Sequence, residues 1–173
     1  MHTLSIRVYY EDTDAGGIVY YANYLKFAER ARTEWLRDLG FEQDELLEQN
    51  IAFVVKHVAM HNNAPARFNQ MLSIHSHIVE LKGASMTFKQ DIINAQDQKL
   101  LVTVQAKIAC VDLANMQPRR IPEAMLGEFS RVIWFNLYRL VFTGKLCSTA
   151  GYVIANQCFH CLLGVHFSAS EST

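Results

Sequence analysis

Hydrophobic and polar residues alternate over residues 4–10, with Leu4, Ile6, Val8 and Tyr10 on the side predicted to face the core. A period of two residues is typical of a β-strand with one buried face. From about residue 22 to residue 39 the apolar positions instead recur every three or four residues, which predicts an amphipathic helix. Gly40 comes directly after this segment, where a glycine in the left-handed backbone conformation commonly ends a helix. The chain therefore opens with a predicted strand, a loop and one long helix.

The central part of the chain has strand character. A short helix is predicted over residues 43–49, and strand-like segments follow at residues 51–62, 71–81, 84–94 and 99–112. Turn-forming residues separate these segments, so consecutive strands are expected to pair antiparallel, with the long helix packed on one face of the sheet. Residues 123–129 are predicted to form a last short helix after Pro122. The predicted fold class is α+β.

The loop between the first strand and the long helix is acidic. It holds Glu11, Asp12 and Asp14, followed by Gly16 and Gly17. A carboxylate near a helix N-terminus is stabilised by the helix dipole, so a structural role as a cap or turn residue would explain one acid. The loop has more acids than a cap needs, and the unpaired N–H groups at a helix start can polarise a carbonyl group. The loop is therefore the candidate reaction centre.

Two other kinds of site fit part of this loop. A calcium-binding EF-hand loop starting at Asp12 requires Asp or Asn at its fifth position and Glu at its twelfth, where this chain has Gly16 and Asn23. A phosphotransferase of the haloacid dehalogenase kind would use Asp12 as nucleophile and Asp14 as acid. That fold needs parallel strands alternating with helices, whereas the strand segments here follow one another without crossover helices. Both alternatives are disfavoured.

Composition narrows the class of partner. The 173 residues are 50% hydrophobic and 19% charged, as expected for one globular domain, and the formal net charge is -1. Such a balance provides no general attraction to nucleic acid or to an anionic membrane, so no nucleic-acid partner is predicted. The first residues lack the basic and apolar regions of a secretory signal, and a cytoplasmic location is expected.

Cysteine and histidine residues do not form a recognisable framework. Cys110 is isolated, and Cys147, Cys158 and Cys161 lie close to the C-terminus, so no set of disulfides is predicted to hold the body of the fold. Histidine pairs on predicted strands and a Cys-x-x-Cys in the tail are incomplete as metal sites, and no metal is predicted. The pairs are His57 with His61 and His75 with His77, and the tail cysteines stand near His166.

The C-terminal part differs from the rest. Residues 146–167 contain no Asp, Glu, Lys or Arg, which makes them a marginal candidate for a membrane helix. The alternatives for residues 130–173 are a tail packed on the domain, a poorly ordered tail, or an artefactual extension. The predicted boundary therefore follows residue 129.

Several separated blocks of the sequence resemble one known family. The run YYEDTDAGGIVYYANYLKFAERARTEWL, followed in order by IAFVVKHVAM, APARFNQML, VELKGASMTF and KIACVDLANMQPRRIP, is similar to the hotdog-fold acyl-CoA thioesterases associated with the Tol-Pal system. This YbgC-like family is related to the hydroxybenzoyl-CoA thioesterases. The resemblance covers about residues 4–129. It implies a hotdog fold, an antiparallel sheet wrapped around one central helix, in a homodimer or homotetramer with active sites between subunits.

The resemblance also implies roles for individual residues. Asp14 would be the nucleophile or the general base, and the backbone N–H of Tyr21 would polarise the thioester carbonyl. Candidates for contacts with the acyl-CoA substrate are Gly17, Val19, Lys82, Ser85, Arg119 and Arg120. No cofactor is implied, because CoA is part of the substrate. Many members of the Tol-Pal branch have His at the position of Tyr21, so this chain departs from that branch there.

A second function is compatible with the same fold. The chain could be a non-catalytic hotdog module that binds acyl groups or acyl carrier protein in an envelope-associated complex, at the inner face of the membrane if the tail is native. Neither interpretation specifies the acyl-chain preference, because pocket depth depends on packing. The predicted function is an acyl-CoA thioesterase that releases a free acid and CoA.

Overall fold

A computed structural model describes residues 1–142 and contains a five-stranded antiparallel sheet with a long helix on one face. The strands are β1 (His2–Arg7), β2 (Ile51–Asn62), β3 (Met71–Lys82), β4 (Ser85–Asn94) and β5 (Leu100–Asp112), in the spatial order β1-β3-β4-β5-β2. The helices are α1 (Asn23–Asp38), α2 (Gln43–Glu48) and α3 (Glu123–Phe142). The predicted α+β class and antiparallel pairing are confirmed.

Helix α1 follows the predicted pattern closely. Its buried side chains include Phe27, Ala28 and Ala31, each with 0% exposure, because the three-to-four-residue spacing places them on one face. Gly40 has φ of +85°, and the N–H of Phe41 donates to the carbonyl of Leu36 at 3.0 Å, which ends the helix as predicted.

The first strand ends earlier than the alternation predicts. β1 stops at Arg7, and the residues Tyr10–Asp12 form a short 3-10 helix instead. The predicted inward position of Tyr10 is wrong, since that side chain is 83% exposed. The reason is local: the N–H of Tyr9 donates to the carboxylate of Asp12 at 2.8 Å, and this bond turns the chain out of the strand.

The last helix is longer than predicted. Helix α3 continues beyond Phe129 to Phe142, because residues 130–142 contain neither Pro nor Gly and their residue types permit helix. Contacts divide the chain into a unit Met1–Ile133 and a second unit that starts at Trp134. No helix within residues 1–142 is long and apolar enough to cross a membrane. The membrane candidate at residues 146–167 lies outside the described residues.

The core lies between α1 and the inner face of the sheet in two clusters. The first surrounds Phe27 and the second surrounds Trp35, whose ring packs edge-on against Phe88 with centroids 5.5 Å apart. The first cluster lies where α1 begins and the second where it ends. Burial of these large side chains holds the direction of α1 along the sheet.

The two ends of the sheet carry different residues. At the turn end, Arg7 pairs with Met71, and Asn62 pairs with Val102 close to the acidic loop. At the hairpin end, Lys82 pairs with Ser85 in the turn that joins β3 to β4. β3 has 12 residues, so the two ends are about 36 Å apart at roughly 3.3 Å per residue.

A buried polar network links the middle of α1 to the sheet. Gln90 has 0% exposure; its Nε2 donates to the carbonyl of Ala28 at 2.8 Å and to the hydroxyl of Ser76 at 3.0 Å. Its Oε1 accepts a hydrogen bond from Arg32 Nη1 at 2.8 Å. Burial lowers the pKa of the Arg32 guanidinium, and the carboxylate of Glu29 opposes that shift. Gln90 thus satisfies polar groups that the helix brings into the core.

We expect Gln90→Leu to lower the free energy of unfolding by about 2–4 kcal/mol, because it leaves the buried Ser76 and the partly buried Arg32 without their partner. The measurement is urea unfolding followed by circular dichroism. Gln105→Leu is the matched control, since Gln105 lies on β5 and is exposed. Equal stability of the two variants would show that the network contributes nothing.

Candidate active site

The acidic loop closes on itself before α1 begins. Thr13 pairs with Val19, the N–H of Asp14 donates to the carbonyl of Ile18 at 2.9 Å, and the N–H of Gly17 donates to the carbonyl of Asp14 at 3.0 Å. Gly17 has φ of +69°, a conformation that residues with a Cβ rarely adopt. The positive φ therefore favours glycine at this tight return of the chain.

Asp12 is the structural acid of the loop. Its side chain is buried and accepts the hydrogen bond from Tyr9, while its carbonyl accepts one from the N–H of Tyr20 at 2.9 Å and one from Asn23 Nδ2 at 3.0 Å. Asp12 therefore ties the end of β1 to the start of α1. The bond from Tyr9 fixes one oxygen of its carboxylate in this structural role.

Asp14 has a different environment. It is exposed, and its Oδ1 accepts a hydrogen bond from the N–H of Gly16 at 2.8 Å. No cation among residues 1–134 forms a salt bridge with it. A Cβ on Gly16 would lie 3.1 Å from that same Oδ1, so a side chain there would press on the carboxylate. Asp14 is thus an oriented carboxylate that remains open to solvent.

The start of α1 leaves backbone donors unused. Ala22 caps the helix without a side-chain hydrogen bond, and the N–H of Asn23 donates to the carbonyl of Tyr20 at 2.8 Å. Within the described part of the chain, the N–H groups of Tyr21 and Ala22 have no acceptor. The helix dipole adds partial positive charge at this point, so the two amides can hold a developing negative charge.

A cleft of about 290 Å³ lies beside the helix start. Its wall is formed by Ile18, Val19, Tyr21, Tyr24, Asn62, Asn63, Ala64 and Pro65. The hydroxyl oxygen of Tyr24 accepts a hydrogen bond from the N–H of Ala66 at 2.8 Å, and burial raises the pKa of Tyr24 against the opposing effect of this bond. Asp14 does not line this cleft but precedes Ile18 in the same loop.

The residues predicted to contact substrate fall into two groups. Gly17 and Val19 lie in the loop with Asp14 and Tyr21; Val19 lines the cleft, and its N–H donates to the carbonyl of Ala66 at 2.9 Å. The other group lies at the hairpin end of the sheet, and its members are Lys82, Ser85, Arg119 and Arg120. A single chain therefore does not bring the two groups together.

The basic residues at the hairpin end differ in how they are held. Lys82 pairs with Glu80 at 2.7 Å. Arg119 lies 3.7 Å from Asp112 and also donates to the carbonyls of Gln49 and Asn50. Arg120 is exposed, and its guanidinium has no ion-pair partner in the part of the chain that the structure describes.

Candidate metal ligands do not converge. Residues 1–142 contain no group of three or more His, Cys, Asp or Glu side chains that could hold a metal ion. Cys110 is buried, and burial raises the pKa of its thiol. The Cys-x-x-Cys at residues 158–161 and His166 lie outside the described residues.

Three residues that bring polar groups to the cleft, Tyr24, Asn62 and Asn63, were not predicted from the sequence as site residues. Tyr24 matches the apolar stripe of α1, so its hydroxyl was assigned to the core. Asn62 and Asn63 resemble an ordinary turn after a strand. Only the folded chain brings them beside Tyr21, and no spacing in the sequence signals that contact.

Comparisons with known proteins agree with this architecture. The model of the thioesterase-like superfamily matches residues 8–129. The acyl-CoA thioester hydrolase YbgC of Escherichia coli O6:H1 is 45% identical over 126 residues, which cover 73% of this chain and 93% of that protein. A probable thioesterase from Bartonella henselae superposes with a TM-score of 0.62 at 38% identity, covering 70% of this chain and 97% of that one. A 1,4-dihydroxy-2-naphthoyl-CoA thioesterase from Synechocystis, 22% identical, shares the fold with a TM-score of 0.71, covering 75% and 95%. The predicted hotdog fold is confirmed.

We expect Asp12→Ala to destabilise the protein by about 1–2 kcal/mol, because the Tyr9 N–H loses its acceptor and the loop loses its anchor. The measurement is the midpoint of urea unfolding. Glu11→Ala is the control, since Glu11 is exposed and adjacent. Asp12→Asn keeps an oxygen acceptor and should retain most of the stability; if Asp12→Ala is as stable as Glu11→Ala, the anchoring role is wrong.

Proposed function

Because the chain belongs to the thioesterase-like superfamily and, within it, to the YbgC group of acyl-CoA thioesterases, we propose that it hydrolyses acyl-CoA to a free acid and CoA, with Asp14 as the reacting carboxylate. The observation that carries this proposal is the contrast between the acids of the loop. Asp12 is buried and bonded, whereas Asp14 is exposed and oriented by the Gly16 N–H.

Asp14 can act in two ways. As a nucleophile, its oxygen bonds to the thioester carbon, the carbon–sulfur bond breaks, and CoA leaves as a thiolate that takes up a proton. Water then hydrolyses the anhydride and restores the carboxylate. As a general base, Asp14 instead removes a proton from the water that attacks the carbonyl directly. Both routes need an ionised carboxylate with a free face.

The free N–H of Tyr21 is the proposed donor to the thioester oxygen. This oxygen gains negative charge when the carbonyl carbon becomes tetrahedral, and a fixed amide at a helix start stabilises that charge without having to reorient. Removing one donor of this type typically lowers kcat by about 10²–10³. The amide belongs to the backbone, so the proposal does not require the Tyr21 ring to react.

A homodimer would complete the substrate site. β2 is an edge strand that pairs with β5 on one side, and its other side has no strand partner among residues 1–142. If two copies pair antiparallel along β2, a two-fold axis through its middle places the hairpin end of one subunit beside the turn end of the other. Lys82 and Arg120 of the partner subunit would then lie near the acidic loop.

This pairing accounts for the separation of the predicted residues. CoA carries phosphates that lysine and arginine bind, and its thioester lies at the opposite end of a long flexible arm. Within one chain the basic residues are about 36 Å from the loop, measured along β3 at roughly 3.3 Å per residue. In the proposed dimer, the basic residues of one subunit and the acidic loop of the other lie at the same end of the joined sheet.

We expect Asp14→Asn to lower kcat with butyryl-CoA by at least about a hundredfold, because the amide can neither attack the carbonyl nor accept a proton. Release of CoA thiol under a colorimetric thiol reagent measures the rate. Glu11→Gln is the matched control and should keep activity near that of the unchanged protein.

Undiminished turnover by folded Asp14→Asn would contradict the mechanism. No thiol release from short, long or aromatic acyl-CoA by the unchanged protein would instead favour the second function, a module that binds acyl groups or acyl carrier protein.

The shared site predicts complementation between inactive subunits. We expect the double variant Lys82→Ala/Arg120→Ala to lose at least tenfold in kcat/KM, through weaker phosphate binding. Co-expressed with Asp14→Asn, it forms mixed dimers in which one of the sites has an intact loop and intact basic residues. Purified mixed dimers should recover a substantial part of normal activity. Activity no higher than that of the parent variants would show that each site lies within one chain.

A further inference from the structure

The cleft beside Tyr21 contains polar groups that the proposed chemistry does not use. The carboxamides of Asn62 and Asn63 make no side-chain hydrogen bond within residues 1–134, and both residues are exposed. The hydroxyl of Tyr24 accepts a bond from Ala66 but donates to no acceptor in the same part of the chain. The apolar part of the cleft wall is formed by Ile18, Val19, Ala64 and Pro65.

The position of the carboxamides follows from the end of β2. Asn62 is the last residue of the strand and pairs with Val102, and the N–H of Asn63 donates to the carbonyl of Leu101 at 2.8 Å. Their backbone is therefore held by β5, while the side chains remain available to a ligand. Tyr21 lines the same cleft.

A ligand for this cleft needs both apolar segments and amide groups. The pantetheine arm of CoA has this composition, with two amide bonds separated by short alkyl segments. An amide presents one N–H and one carbonyl oxygen, and a carboxamide side chain can donate to one and accept from the other. A plain acyl chain offers these carboxamides no group to donate to or accept from.

The proposed dimer also places the arm here. The phosphates of CoA would bind to Lys82 and Arg120 of the partner subunit, beyond the end of β2. The thioester must reach the Tyr21 amide, and Tyr21 lines the cleft. Asn62 ends β2, the strand along which the two subunits are proposed to pair, so Asn62 and Asn63 lie at the loop end of that shared edge.

We propose that Asn62 and Asn63 bind the amide groups of the pantetheine arm and that the cleft holds this arm, leaving the acyl group to lie elsewhere. This inference rests on the proposed thioesterase function and adds binding residues to the same site. The ligand chemistry is a pantetheine thioester, whether it comes from CoA or from a phosphopantetheinyl carrier protein.

The test varies the thiol part of the substrate and keeps the acyl group constant. Butyryl-CoA and S-butyryl-pantetheine contain both amides, and S-butyryl-mercaptoethanol contains none. We expect Asn62→Leu and Asn63→Leu each to lower kcat/KM about three- to tenfold with the first two substrates, the loss of roughly one net hydrogen bond. With the mercaptoethanol ester the rate should stay within about twofold, which also shows that each variant is folded.

The controls separate this inference from its alternatives. Gln105→Leu removes an exposed carboxamide from β5 and should alter none of the rates. Equal losses with all three thioesters, or losses that depend on the acyl group when butyryl is replaced by benzoyl, would overturn the proposal. A loaded carrier protein should lose the same factor as CoA if it uses the same cleft.

A binding measurement tests the inference even without turnover. S-butyl-pantetheine is a thioether that cannot be hydrolysed, and calorimetry gives its Kd. We expect the Asn62→Leu/Asn63→Leu double variant to bind it at least tenfold more weakly than the unchanged protein. Unchanged affinity would contradict the inference, whereas failure of the unchanged protein to hydrolyse any acyl thioester would contradict only the proposed function.

Discussion

The hydrogen bonds of Asp12 are the constraint on which the site depends. The carboxylate stops β1 at the right place by accepting from Tyr9, and the carbonyl holds Tyr20 and Asn23 at the start of α1. One residue thus positions both the loop and the helix end whose amides remain unpaired. Without this anchor, an exposed loop that contains two glycines would lose conformational order, and Asp14 would be held only by the bonds within the loop, from the Gly16 N–H to its carboxylate and between its backbone and those of Gly17 and Ile18.

The sheet determines how far the anchored loop lies from the basic residues. Because β3, β4 and β5 are long and antiparallel, they separate the loop from the basic hairpin end by most of the length of the domain. An edge strand with no partner in the described chain makes a two-fold pairing the simplest way to bring opposite ends together. The proposed dimer follows from this separation of the acidic loop and the basic residues. In that dimer, a substrate as long as CoA could contact the loop of one subunit and the basic residues of the other.

Much of the fold could be predicted because the spacing of apolar residues distinguishes helices from strands. The stripe of α1 and the strand segments follow from spacing alone, and Gly40 marks the helix end by its conformation. Features that depend on tertiary bonds could not be predicted. The alternation of apolar residues continues to Tyr10, past the end of β1. The residue types alone do not distinguish the roles of Asp12 and Asp14; the hydrogen bonds from Tyr9 and Asn23 to Asp12, which only the folded chain shows, do. The length of α3 was missed because apolar residues after Phe129 permit a helix without requiring one.

The residue at position 21 shows what such a site can tolerate. The family resemblance implies that many relatives have His where this chain has Tyr21, yet the feature that a carbonyl oxygen needs is the N–H of the peptide. Any residue other than proline supplies that donor, and its direction is set by Asn23 and Tyr20, which begin the helix. Tyr21 also lines the cleft, and its side chain is exposed. The side chain at this position can therefore vary without removing the backbone amide that is proposed to polarise the carbonyl.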